Sequence, residues 1–191
     1  RNFTVKPLHP PLVIDTSHMS LNGWHLRYGP TPTNPPAGAF RDRQASGGVP
    51  PYRYSSYNSN IAEVTATGRV ISKGNGSTTI VVTDAANQSA QYSVSTSNVE
   101  SLFNTGRNTY TYAANLVASQ GGRIPSRSEW TAFINNYRGV RTIELWWWTP
   151  EAYFFGKKWV IYPATGQLDY RVDIGIGGGA LMGSWVGSHF G

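Results

Sequence analysis

Carboxylates, histidines and tryptophans are the residues of this chain whose types and spacing could do chemistry. Glycoside hydrolysis needs two converging carboxylates. Asp169 and Asp173 are four apart on a predicted strand, which puts them on one face about 13 Å apart, too far for a retaining pair. The four histidines, His9, His18, His25 and His189, form no His-x-x-x-His pair and read as surface or loop residues. Gly175-Ile176-Gly177-Gly178-Gly179-Ala180 superficially matches a dinucleotide fingerprint. The 11 residues after it leave no room for a helix and a further βαβ unit, so it reads as a bend or a close backbone approach. No Ser/His/Asp constellation is discernible, and the chain is expected not to be an enzyme.

The tryptophans are more informative. Of 25 aromatic residues 17 follow residue 100, with six of the seven Trp among them. Trp146-Trp147-Trp148 is the densest group. Side chains alternate on a strand, so Ile143, Leu145 and Trp147 share one face and Glu144, Trp146 and Trp148 the other. The first set reads as core, as do Trp130, Phe133 and Trp185; the second carries a charge and is solvent-facing or interfacial. Tyr153, Phe154, Phe155 and Trp159 surround a loop after Pro150-Glu151, where they either plug the domain or form an exposed apolar patch. Tyr170, Arg171 and Asp173 add polar specificity beside them. Exposed Trp and Tyr anchor protein interfaces because they bury large area with few rotors.

These residues must be positioned by elements of two different kinds. Residues 1–97 read as short strands and turns. Leu12 to Asp15 is a first strand, and Tyr28 to Pro51 is a loop rich in Pro. Thr79 to Thr83 is a β-branched run, Asp84 to Asn87 a turn, and Gln91 to Ser95 alternates with Tyr92 and Val94 inward. Strands of about five residues punctuated by Gly and Asn/Asp signal a β-sandwich. Residues 98–191 read differently. A short strand lies near Asn108–Tyr110. Thr111 to Gln120 is helical, with Tyr112, Ala113, Leu116 and Val117 on one face and Gly121 as its stop. Ser126-Arg127-Ser128-Glu129 fits a capping box. Trp130, Phe133, Ile134 and Tyr137 follow as one apolar stripe, and Gly139 ends the helix. Strands return over Thr142–Thr149, Lys157–Tyr162 and Gln167–Ile174. The fold class is mainly β with an α+β C-terminal domain. Leu102 and Phe103 are expected to pack at the junction.

The bulk numbers agree. The chain has 191 residues, of which 39% are hydrophobic and only 14% charged, against roughly 25% in an average soluble domain. A net charge of +6 is spread evenly, with eight bases and five acids on each side of a cut after residue 100, so no nucleic-acid footprint is expected. There is no cysteine, which excludes disulfides and Cys-based zinc sites. No stretch is long and apolar enough to span a bilayer as a helix. No signal peptide is visible at Arg1, and the chain reads as an excised fragment with its export signal or anchor upstream. The sequons at Asn2, Asn75 and Asn87 read as turn residues.

Gly47-Gly48-Val49-Pro50-Pro51-Tyr52-Arg53-Tyr54, Asn60-Ile61-Ala62-Glu63-Val64, Gly68-Arg69-Val70, Gly74-Asn75-Gly76-Ser77, Thr83-Asp84 and Tyr92-Ser93-Val94 occur in the order of a bacterial Ig-like repeat. Gly121-Gly122-Arg123-Ile124-Pro125-Ser126-Arg127-Ser128-Glu129-Trp130, with Ala113 to Leu116 upstream, resembles a C-type-lectin-like domain. Together they resemble the C-terminal tip of the invasin/intimin family of outer-membrane adhesins. The resemblance implies an Ig-like β-sandwich over 1–97 followed by a C-type-lectin-like domain over 98–191, exposed at the bacterial outer membrane. It also implies that the membrane is reached only through an upstream barrel. The implied partner is a host protein: an integrin-like receptor, another surface glycoprotein, or a serum or mucosal factor. Family caps that bind integrins use an exposed Asp, so Asp169 and Asp173 are either partner contacts by resemblance or solvated strand residues. The known caps contain a disulfide; this chain has none. The Glu-Pro-Asn, Gln-Pro-Asp and Trp-Asn-Asp tripeptides of calcium-dependent lectins are missing, so neither metal nor cofactor is expected. The expectation is thus a monomeric recognition module. Its binding residues are Trp146, Trp148, Tyr153, Phe154, Phe155, Trp159, Asp169, Tyr170, Arg171 and Asp173. The alternatives are a metal-independent carbohydrate binder, stacking sugar on Trp146, Trp148 or Tyr153, and a spacer without a ligand.

Overall fold

Residues 76–96 form the longest hairpin, and its alternation sets the first core. In the computed structural model, which describes residues 9–102, 109–138, 147–152, 157–162 and 165–172, the strands and helices follow one another in this order. First come β1 (Leu12–Val13), β2 (Met19–Leu21), β3 (His25–Arg27), β4 (Phe40–Asp42), β5 (Ser46–Gly47) and β6 (Arg53–Ser56). They are followed by β7 (Ala62–Val64), β8 (Arg69–Ser72), β9 (Gly76–Thr83), β10 (Ser89–Thr96) and β11 (Val99–Ser101). Two helices, α1 (Tyr110–Ser119) and α2 (Arg127–Asn136), precede β12 (Trp147–Ala152), β13 (Lys157–Tyr162) and β14 (Gln167–Val172). The chain divides into two compact units. One holds residues up to Leu21 together with Phe40–Ser97; the other holds Asn22–Ala39 together with Asn98 onward.

The first unit is a sandwich. One sheet has the order β2-β10-β9-β6 and the other β4-β8-β7, with β1 and β5 as a small separate pair. All pairings are antiparallel except β10 with β2. Along β9 the residues Thr78, Ile80 and Val82 are buried, and along β10 Tyr92, Val94 and Thr96. This is the period of two expected of half-buried strands. Ile80, Tyr92, Val94, Met19 and Leu21 meet Ala62 and Val70 of the facing sheet in one core. Tyr92 and Val94 point inward as expected. The expected loop over 28–51 instead contains β4 and β5. Their partners, Ile71 for Phe40 and Leu12 for Gly47, lie about thirty residues away, where local composition carries no signal.

Two polar devices hold this unit's connections. Asp84, buried at the β9–β10 turn, accepts the backbone N–H groups of Val49 (2.8 Å), Ala86 (3.0 Å) and Gln88 (2.8 Å), and the Gln88 amide (2.9 Å). Desolvation alone would raise its pKa. The N–H bonds from Val49, Gln88 and Ala86 outweigh that and hold the carboxyl below the ordinary aspartate value. Gly48 sits at φ +55°, and a Cβ there would lie 2.5 Å from the Asp84 carboxylate, so only glycine lets the chain pass. Arg43 is buried with its guanidinium 4.5 Å above the Tyr92 ring, donating to the Ser17 carbonyl (2.6 Å) and paired with Asp15 (3.0 Å). A buried cation persists only when its donors are met in this way. Burial pushes the Tyr92 phenol up to about 12, more than Arg43 lowers it.

The second unit is α+β. β3 and β11 form a parallel pair, with Val99 opposite His25 and Ser101 opposite Arg27. β12, β13 and β14 form an antiparallel sheet in that order. Leu26 and Leu102 join Trp130, Phe133 and Tyr137 of α2 and Ile161 of β13 in one core. The rings of Trp130 and Phe133 meet edge to face at 5.7 Å. Val160, on the opposite face of β13, packs against Ala113, Val117 and Ile124. The helices therefore cover opposite faces of one sheet. Asn22–Ala39 also closes the far end of α2. The Asn34 N–H donates to the Asn136 carbonyl (3.0 Å), the Thr33 hydroxyl to the Arg138 carbonyl (3.0 Å), and the Tyr28 N–H to the Tyr137 hydroxyl (3.2 Å). The first of these meets a carbonyl that the helix C-terminus leaves unpaired.

Three local expectations are corrected here. Tyr110 begins α1 and does not end a strand, because Thr109 caps the helix by accepting the Tyr112 N–H. Tyr112 is exposed; the buried face of α1 is Ala113 and Val117, with Tyr110 and Ala114 flanking. His25 is a fully buried strand residue, its Nδ1 3.2 Å from the Gly23 carbonyl oxygen, not a surface or loop histidine. Leu102 packs within the second core. Asn108, Phe103, Gly139, Gly175 to Ala180 and Trp185 lie outside the described residues.

Two outcomes follow from this packing. The Asp84 carboxyl has a depressed folded-state pKa, so its contribution is present above the ordinary aspartate value of 3.8 and is lost as pH falls through the folded value. Urea midpoints of the parent and Asp84→Asn should therefore differ most at pH 7 and converge as pH falls through the depressed folded-state value. Leu26→Ala should cost the second unit about 2–5 kcal/mol, read as an earlier tryptophan-fluorescence transition in urea.

Candidate functional site

The start of α2 organises the surface of the second unit. Ser126 accepts the Glu129 N–H (3.3 Å), and Glu129 accepts the Ser126 N–H (2.7 Å), completing the capping box read from the sequence. Arg123 closes on the Glu129 carboxylate with two bonds of 2.6 Å and reaches Glu100 at 3.0 Å. Desolvation would raise the Glu129 pKa, but Arg123 first and then the Ser126 N–H hold it below the ordinary glutamate range. The same pairing raises the Arg123 pKa. Glu151 of β12 then accepts the Arg127 N–H (2.9 Å). The N–H groups of Ser126, Arg127 and Glu129 at the helix start are thus met by protein groups.

Above this start lies an open groove of about 470 Å³. Arg127, Ser128, Thr131 and Asn135 line one wall at helical spacing, and Glu151 and Leu168 line the other. Leu168 is a large apolar side chain left exposed. The Arg127 guanidinium lies 4.9 Å above the Trp159 ring, a cation–π contact that also steers Arg127. A second groove of about 400 Å³ runs along α1 between Tyr110, Ala114, Ala118 and Pro150. At its edge Lys158 donates to the Pro150 carbonyl (3.0 Å) and lies 4.5 Å above the Tyr110 ring. Among the described residues, no group of three or more His, Asp or Glu is placed to hold a metal ion.

The expected binding residues distribute as follows. Trp146, Tyr153, Phe154, Phe155 and Asp173 lie outside the described residues. Trp148 is in β12 opposite Val160, while Tyr170 and Arg171 are in β14 opposite Trp159 and Lys158. Trp159 and Asp169 sit on neighbouring strands but not on one face. Trp159 shares the α2 face with Ile161, whereas Asp169 is opposite Val160 and shares the α1 face. Both are half-buried. Sequence reading missed Arg127, Glu151 and Leu168 as wall residues. Arg127 had a usable signal, since the residue after a capping Ser stands at an exposed helix start. Glu151 had none, because its partner is 24 residues away.

Comparison with known proteins bears on this arrangement. Residues 36–86 match the family model of the intimin immunoglobulin-like domain. An intimin of Escherichia coli O127:H6 is 40% identical over 85 residues, a stretch that is 44% of this chain and 9% of that protein. An intimin mutant from EHEC O157:H7 has a TM-score of 0.55 at 19% identity, covering 82% of this chain and 84% of that one. The C-terminal 282-residue fragment of intimin, solved in complex with the intimin-binding domain of the translocated intimin receptor Tir, has a TM-score of 0.54 at 24% identity. It covers 87% of this chain and 63% of the other. At these identities the structural likeness speaks for fold. Residues 36–86 thus match an intimin immunoglobulin-like domain, and the chain shares with the intimin fragments a fold in which such a sandwich is followed by a C-type-lectin-like unit.

Proposed function

We propose that the chain is the recognition tip of a bacterial surface adhesin, in which the sandwich presents the lectin-like unit to a host protein. The observation that carries this reading is the fold: an intimin immunoglobulin-like domain joined to a unit of the kind seen in an intimin fragment bound to the Tir intimin-binding domain. The chain acts by binding, not catalysis, and its place is the outer face of the bacterial outer membrane. The partner is a host surface or secreted protein, bound by a monomeric tip. The candidate contact residues are Trp159 on one face of the β13–β14 pair and Asp169 on the other, with Tyr170, Arg171 and Trp148 of the same sheet; Trp146, Tyr153, Phe154, Phe155 and Asp173, outside the described residues, complete the proposed set. Aromatic and Arg anchors of this kind dominate protein–protein affinity. No helix among the described residues is long and apolar enough to cross a membrane.

The test is binding of the full chain to host epithelial cells by flow cytometry, with capture from solubilised membranes identified by mass spectrometry. Trp159→Ala and Asp169→Ala, on opposite faces, report which face docks. The variant on the docking face should lose about 2 kcal/mol, roughly 30-fold in affinity, with an unchanged circular dichroism spectrum. Binding that survives enzymatic deglycosylation of the cells supports a protein partner. Binding abolished by deglycosylation, with saturable glycan-array signals, replaces it with a metal-independent carbohydrate binder. Absence of any saturable binding to cells or serum proteins refutes the recognition role.

A further inference from the structure

We propose that the sandwich works as a folding clamp on the recognition unit, so that the second unit keeps its fold only while the first is closed. The inference rests on chain topology and is independent of which partner is bound. The second unit needs Asn22–Ala39: this stretch supplies β3, the core residue Leu26 and the groups that close the C-terminal end of α2. Between this stretch and Asn98 lie the residues from Phe40 to Ser97, all of which belong to the first unit.

When the sandwich is folded, this intervening loop is already closed. Its β2 and β10 run in parallel register, with Leu21 opposite Thr96, and the Ser97 N–H donates to the Leu21 carbonyl at 2.9 Å. The chain therefore leaves the sandwich at Leu21 and at Ser97 side by side, and β3 and β11 of the second unit are themselves a parallel pair. When the sandwich opens, the second unit must close a flexible loop of roughly 60 residues for itself, which on the n-to-the-three-halves scaling lowers its folding constant roughly several-hundredfold. No side-chain contact is needed for this coupling. By linkage the effect is reciprocal: a ligand that tightens the second unit also stabilises the sandwich.

The chain is well suited to the test, because all seven tryptophans, Trp24 included, lie in the stretches of the second unit. Their fluorescence reports that unit, while hydrogen exchange of the β9–β10 amides reports the first. Ile80 is fully buried in the sandwich core and its cluster contains only residues of the first unit. In the full chain Ile80→Ala should lower the urea midpoint seen by tryptophan fluorescence along with that of β9–β10 exchange. Ile80→Val, a milder change, serves if the alanine variant does not fold, and should shift both in the same direction by less. A tryptophan transition that stays at the parent midpoint while the β9–β10 amides open earlier overturns the proposal. Either result leaves partner binding by the parent chain to be measured separately, so the recognition reading stands or falls on its own experiment.

Discussion

The parallel pairing of β3 with β11 is the constraint on which the second unit depends. It brings Leu26 under Trp130 and Phe133, and without it the apolar stripe of α2 would face water along its middle turn. A parallel pair cannot be made by a tight turn, because its strands must run the same way and so need a long connection. Here the connection is most of a folded sandwich. The usual cost of a long connection, the entropy of bringing its ends together, is met by the sandwich's own ladder. Within the sandwich β10 pairs with β2 in parallel, in an otherwise antiparallel unit. The exception lets two strands leave the sandwich together.

The charges serve the same end. A chain with only 14% charged residues cannot rely on many surface ion pairs, and exposed pairs are worth little in any case. The well-placed ones tie together segments distant in sequence. Arg43 ties β4's exit to Asp15 and Ser17, Arg123 ties the α1–α2 loop to Glu100 of β11, and Glu151 ties β12 to the start of α2. Each joins pieces whose relative placement the backbone ladders leave free. Asp84 does with hydrogen bonds what Arg43 does with charge, fixing the β5–β6 connection to the β9–β10 turn through Val49.

What was legible in the sequence was what is local. The alternation of Tyr92 and Val94, the capping box at Ser126, the stop at Gly121 and the strand Lys157–Tyr162 each depend on neighbours within a few residues. The Gly121 stop is a two-bond cap, with Gly122 donating to Val117 and Gly121 to Ala118, and its geometry follows from the glycine pair. What was not legible was long-range. β4 and β5 lie in a Pro-rich stretch and exist through partners some thirty residues distant. His25 reads as polar, yet its strand position places it inside. Asn22–Ala39 is rich in Pro and reads as a loop, and its membership of the second unit rests on partners far away in sequence. The same limit applies to the site. That Trp159 and Asp169 fall on opposite faces is a matter of register, which a single strand's sequence does not specify.

Register also decides how such a surface can recognise anything. In the β12–β14 sheet Val160 packs against α1 on one face and Ile161 against α2 on the other, while Leu168 at the edge strand stays exposed. At one rim Arg127, Trp159 and Leu168 lie beside a wall of Ser128, Thr131 and Asn135. Rims of this kind combine an apolar floor with hydroxyl and amide groups that exchange water for a partner's polar atoms at small net cost. Because the start of α2 is met from within by Ser126, Glu129 and Glu151, the Thr131 and Asn135 side chains are not also required to cap it. Of the groove residues, Glu151 and Ser128 are thus tied to the cap at the helix start, whereas Thr131 and Asn135 are not. A scaffold whose helix ends are satisfied internally can change its partner by changing only the rim.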